Sequence, residues 1–171
     1  MKKVGMKELI EIALAVERSG FNIFNDLAQK YTSNKRLSKI FIQLASEEEG
    51  HIKIIEEFEK KYLNEHDFLA SLYDNDVVRD YFKDFSYFYI MKDYKKYLKR
   101  FKKVHNEIEA IKIAIDLEIN SIIFYDKFYK LNHENKEVAK LIKELLHFES
   151  NHLEILSQYI KNNLSAIIKP E

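Results

Sequence analysis

The chain contains no cysteine. That excludes disulfides, thiol catalysis, iron–sulfur clusters and cysteine-ligated zinc. Three glycines and one proline serve 171 residues, and the proline is Pro170, beside the last position. Turn-forming residues are therefore scarce, and a fold of many short strands would need far more of them. No apolar run approaches the roughly 18–20 residues of a membrane span. The opening MKKVGMKELIEIALAVERSG places two lysines before an apolar stretch, but Glu8, Glu11 and Glu17 interrupt it. It does not resemble a signal peptide, and a cytoplasmic location is expected. Charge of one sign is missing too: 28 basic and 28 acidic side chains balance, which speaks against nucleic acid as the main partner. The remaining mixture, 46% apolar and 33% charged, suits one soluble domain with a buried core and long, sparsely connected helices.

Four stretches carry apolar residues at helical spacing, predicting an all-α fold. The first runs from about 6 to 30 on the stripe Ile10, Leu14, Phe21, Phe24, Ala28, and the second from about 34 to 62 on Leu37, Phe41, Leu44, Ile55, Phe58. The third runs from about 106 to 131 on Ile111, Ile115, Ile122, Tyr125, Tyr129, and the fourth from about 135 to 162 on Val138, Ile142, Leu145, Leu156, Tyr159. TSNK at 32–35 and NHEN at 132–135 offer capping side chains within each pair. Links this short imply two antiparallel hairpins, 6–62 and 106–165, joined by a crossover over 63–105 in a single domain of residues 1–171. An offset of 101 residues lays the second hairpin on the first without a gap, with IALAVE (12–17) over IAIDLE (113–118). This reads as an internal duplication.

Every stripe turns polar at one level: Glu17 on the first helix, Glu48 and His51 on the second, Glu118 on the third, Glu149 and His152 on the fourth. All six obey the same offset. Carboxylates inside an apolar bundle cost several kcal/mol or more unless paired, and four at one level repel one another, so cations must compensate if all four are ionised. The i, i+3 spacing puts each Glu and its His on one helix face. Carboxylate oxygen with imidazole nitrogen suits iron or manganese, and four carboxylates balance two divalent ions. One Glu from each of two helices plus Glu-x-x-His from each of the other two is a known dimetal arrangement in helical bundles. A lone Glu-x-x-His is ordinarily a solvated pair. Glu144-x-x-His147 is such a case: it lies off the stripe, and its repeat mates are Gln43 and Ser46. Within SEEEGHIKII (46–55), Glu47 and Glu49 are read as bystanders, because their mates are Phe148 and Ser150. Replacing Glu48 or Glu149 is expected to abolish tight binding at one metal position.

AVERSGFNIF, QLASEEEGHIKII, IAIDLEINSIIFYDKF and LLHFESNHLEIL, one from each helix, resemble the rubrerythrin-like branch of the ferritin-like superfamily. The resemblance implies an up–down four-helix bundle with a long crossover between the second and third helices. It also implies a non-haem site of two iron ions held by Glu17, Glu48, His51, Glu118, Glu149 and His152, with manganese accepting the same ligands. Two ferrous ions can deliver two electrons to O2 or H2O2. Rubrerythrins proper carry a cysteine-rich rubredoxin module, and this chain, lacking cysteine, would take electrons from a separate donor such as a rubredoxin-like protein. They also carry a further glutamate one turn after the third-helix ligand; here Ser121 stands there, with Gly20 as its mate, which leaves space beside the metals for a substrate. Tyr125, two turns beyond Glu118, either contacts a ligand carboxylate or packs the core; its mate Phe24 lacks the hydroxyl.

YFKDFSYFYIMKDYKKYLKRF (81–101) holds nine aromatic residues, so the crossover is expected to form short helices packed on the bundle or on a second subunit, with a homodimer as the assembly. The basic KDYKKYLKRFKK (92–103) reads as a solvated face. His66, His105 and His133 fall near helix ends and receive no role. The function expected is a diiron oxidoreductase that reduces peroxide or O2, or oxidises Fe(II), in oxidative-stress defence. The alternative is an iron-binding or storage protein without turnover.

Overall fold

The computed structural model describes residues 6–66, 104 and 106–167. Four helices make up nearly all of them: α1 (Met6–Lys30), α2 (Lys35–His66), α3 (Glu107–Asn132) and α4 (Lys136–Ile167). No strand occurs among the described residues, and the fold is an all-α four-helix bundle. α4 begins and ends 101 residues after α2, the offset read from the sequence.

The helices start where short polar side chains can hold free backbone N–H groups. Asn34 Oδ1 accepts from Leu37 N at 3.0 Å. Its repeat mate Asn135 accepts from Glu137 N and Val138 N, both at 3.2 Å. Asn106, which the sequence reading did not single out, caps α3 by accepting from Glu109 N at 2.9 Å. Each satisfies a donor that the first helical turn leaves unpaired.

α1 packs antiparallel on α2, as the contacts Ser38 Oγ to Ala28 O and Arg18 to Glu56 fix. α3 packs on α4, and the two hairpins meet along α1–α3 and α2–α4. Tyr31 donates to Asn106 O at 2.8 Å across the first seam, and Asn135 donates to Tyr62 at 3.2 Å across the second. In both seams the helices run antiparallel, so α2 and α3 run parallel, the arrangement that a long crossover between them serves. The aromatic-rich 81–101, the basic 92–103 and the rest of the crossover over 67–103 lie outside the described residues, as does His105. No helix among the described residues is long and apolar enough to cross a membrane.

The apolar core forms two blocks. One gathers Phe24, Leu27, Leu37, Phe41, Leu44, Ile111 and Leu156. The other gathers Ile10, Leu14, Ile55, Phe124, Phe128, Val138 and Ile142. Burying each of these side chains contributes about 1.5–3 kcal/mol. On α3 the expected stripe needs correction. Ile111, Glu118 and Tyr125 of that stripe are buried, but Ile115, Ile122 and Tyr129 are only half-buried, and Ala110, Ala114, Leu117, Ser121, Phe124 and Phe128 supply the rest of the inward face. α3 is apolar around most of its circumference and exposes Ile108, Ile119 and Ile123, so periodicity alone could not choose its inward face.

Candidate metal centre

Between the apolar blocks lies a buried polar layer made of Glu17, Glu48, His51, Glu118, Glu149 and His152, none more than 4% exposed. All six residues singled out in the sequence come together here. Glu17 enters from α1, Glu118 from α3, and a Glu–His pair one turn apart from each of α2 and α4. Each stripe is polar only at this level because its neighbours above and below are needed to fill the two blocks.

The donors form two overlapping sets: Glu17, Glu48, His51 and Glu149 in one, and Glu48, Glu118, Glu149 and His152 in the other. Within each set the ligand atoms lie within 4.8 Å of one another. His51 Nδ1 is 2.9 Å from Glu17 Oε2, 3.5 Å from Glu48 Oε2 and 3.6 Å from Glu149 Oε1. His152 Nδ1 is 3.3 Å from Glu118 Oε1, 3.5 Å from Glu48 Oε1 and 4.0 Å from Glu149 Oε2. Glu48 and Glu149 thus offer one oxygen to each half. The expectation that each serves a single metal position is corrected: both carboxylates belong to both sets.

The electrostatics fit a layer built for cations. Burial drives the Glu118 and Glu149 carboxyls well above the usual carboxylate range, and neighbouring carboxylates push the same way. Burial and the charge of Glu48 raise Glu17 to about 8, against the pull of His51. For Glu48, burial is outweighed by the neighbouring His152 and His51 imidazoles, each 3.5 Å from one of its oxygens, which hold it at about 2. The two imidazoles, although burial disfavours their charge, are raised by the carboxylates to about 10 for His51 and about 9 for His152. Protons therefore balance the charge where cations could.

Both oxygens of Glu118 and of Glu149 and both ring nitrogens of His152 are buried without a hydrogen-bond partner. Such orphaned groups cost about 1–3 kcal/mol each, more when charged, unless something else binds them. An oxygen- and nitrogen-donating cluster of this kind suits iron or manganese. The residues present fit a pair of metal ions.

A family model described as Rubrerythrin matches residues 8–160. The chain belongs to the rubrerythrin family. No curated protein and no solved structure matches it.

One family expectation looks different in three dimensions. Ser121, at the place of the family's further glutamate, is buried on α3. At its mate Gly20 the expected free space is filled from within: a Cβ there would stand 2.9 Å from Glu48 Cδ and Oε1 and 3.2 Å from Oε2. Gly20 is thus the cradle in which the Glu48 carboxylate rests. Tyr125, fully buried, donates its hydroxyl to Glu17 Oε1 in a short hydrogen bond. Its mate Phe24 stacks on Phe41 instead.

Glu47 is the residue that sequence reasoning missed. Its Oε2 lies 3.0 Å from His152 Nε2, on the side of the ring away from the cluster. Position 47 precedes a ligand on α2, but on the α2–α4 seam it meets the histidine of the opposite helix. Nothing in the sequence signals this contact, which exists only with α2 and α4 side by side. Glu49 pairs with Lys53 at 3.1 Å on the surface, as a bystander should. His147 is exposed and near Asn151. His133 ends α3, its Nδ1 3.0 Å from Lys130 O.

Proposed function

We propose that the protein is a non-haem diiron oxidoreductase that reduces peroxide or O2, or oxidises Fe(II), using electrons from a separate donor. The observation that carries this reading is the pair of overlapping buried donor sets sharing Glu48 and Glu149. Glu17 and His51 would hold one ion, Glu118 and His152 the other, and Glu48 and Glu149 both. Two neighbouring metal ions of variable valence supply two-electron chemistry toward an oxygen substrate.

The chain's own groups do the rest. The two apolar blocks keep bulk water from both ends of the layer, which strengthens every charge interaction within it. Tyr125 fixes Glu17 by its hydroxyl and leaves the other oxygen toward His51. Carboxyls pushed upward by burial are poised to exchange protons as ions bind, so metal uptake releases protons. With no cysteine in the chain, electrons arrive from outside it.

Anaerobic loading with Fe(II), followed by stopped-flow mixing with H2O2 or O2, tests the reading. Repeated oxidation in the presence of an added electron donor is expected. A single stoichiometric oxidation with no turnover under any donor would instead place the protein among iron-binding or storage proteins.

A further inference from the structure

The repeat makes the six candidate ligands equivalent in pairs, yet their surroundings are not. Position 47 and position 148 are mates, and each faces the histidine of the opposite helix. On one side Glu47 Oε2 stands 3.0 Å from His152 Nε2. On the other, Phe148 stacks on the His51 ring, with centroids 4.7 Å apart and planes at 11°. Among the described residues, the acidic contacts of His51 all run through Nδ1. A second pair of mates differs in the same direction. Tyr125 donates a hydrogen bond to Glu17, whereas its mate Phe24 stacks on Phe41 and has nothing to donate.

These contacts act on donor strength. A carboxylate behind an imidazole fixes its tautomer and ring orientation and makes the other nitrogen a stronger ligand. A hydroxyl hydrogen bond to a carboxylate draws electron density away from the oxygen that would face the metal. We propose that Glu47 is a positioning residue that, with Phe148 and Tyr125, makes the two halves of the centre unequal, so that the half built on Glu118 and His152 binds its metal first and more tightly. The inference rests on the dimetal reading. The Glu47–His152 contact is an ion pair whose ring N–H is not yet aligned for a hydrogen bond. Glu47 is 39% exposed in its side chain, and Gln43 Nε2 donates to its other oxygen at 2.9 Å, which holds the carboxylate beside the ring for alignment once a metal binds from the other side.

The test is anaerobic titration of the metal-free full chain with Co(II), followed by calorimetry and by the visible absorption of the bound ion. Two resolved steps are expected, with the tighter one lost in His152→Ala and the weaker one lost in His51→Ala. Glu47→Gln should weaken the tighter step by about 10–100-fold and leave the weaker step within twofold. Glu47→Asp should recover part of the loss, and Phe148→Glu should strengthen the weaker step. Two steps of equal affinity, an unaltered tighter step in Glu47→Gln, or loss of the tighter step in His51→Ala rather than His152→Ala would overturn the inference while leaving the dimetal reading standing. Binding of fewer than two ions by the unmodified chain would instead overturn the dimetal reading itself.

Discussion

At the scale of single residues, the centre depends on side chains that are too large or too small to exchange. Gly20 has no Cβ, and the Glu48 carboxylate occupies that space. Gly20→Ala should push Glu48 aside. Because Glu48 serves both donor sets, both binding steps should weaken by about tenfold or more. Isothermal titration with Fe(II) under argon would read this, and unchanged affinities would show that Glu48 adapts freely. The six ligand candidates were legible in the sequence because a polar residue on an apolar stripe is expensive and a repeat of the expense is not chance. Glu47 was not legible, because its partner His152 is distant in sequence and its mate Phe148 has different chemistry. Its contact exists only once α2 and α4 are set side by side.

Among the elements, the two hairpins show how far local chemistry reaches. Asn34 and Asn135 were readable as capping residues from TSNK and NHEN, and each caps its helix. Asn34 also donates to Glu107 at 2.7 Å, tying the α1–α2 link to the start of α3. Asn135→Ala should therefore cost about 1 kcal/mol, the usual loss of a cap. Asn34→Ala should cost about 1–2 kcal/mol more, because a hydrogen bond to a charged group is lost as well. Urea unfolding of the two variants would measure the difference, and equal costs would show that the Glu107 contact contributes nothing. The inward face of α3 was misread in part because its sequence is apolar nearly all round. The buried line through Ala110, Ala114 and Ser121 reflects close helix packing, which small residues permit and hydrophobic periodicity does not register.

For the whole molecule, the buried layer couples stability to pH. Without metal, Glu17 has its pKa raised from 4.5 to about 8, and His51 and His152 have theirs raised from 6.5 to about 10 and about 9. The folded protein thus holds more protons than the unfolded chain throughout this range. Stability is then lost as pH rises. The contribution of the histidines is fully present below pH 6.5 and disappears as pH climbs through 9 to 10, while that of Glu17 disappears between 4.5 and 8. Glu48, held at about 2, acts in the opposite sense only below 4.5. The melting temperature of the metal-free protein should fall steadily from about pH 5 to pH 10. Metal-loaded protein should show a higher melting temperature and reverse this trend near neutrality, because ions replace the protons. A metal-free melting temperature that rises from pH 6 to 9 would contradict the charge balance described for the layer. The two-block core with a polar layer between follows from the stripes. The parallel run of α2 and α3 follows from the crossover the sequence implied.

The sharing of Glu48 and Glu149 between two metal positions can be tested by equilibrium dialysis against Fe(II) under anaerobic conditions, comparing the unmodified chain with Glu48→Ala and Glu149→Ala. Two ions per chain are expected for the unmodified protein, with both positions weakened together in either variant. One ion retained at full affinity in either variant, or fewer than two bound by the unmodified chain, would contradict it.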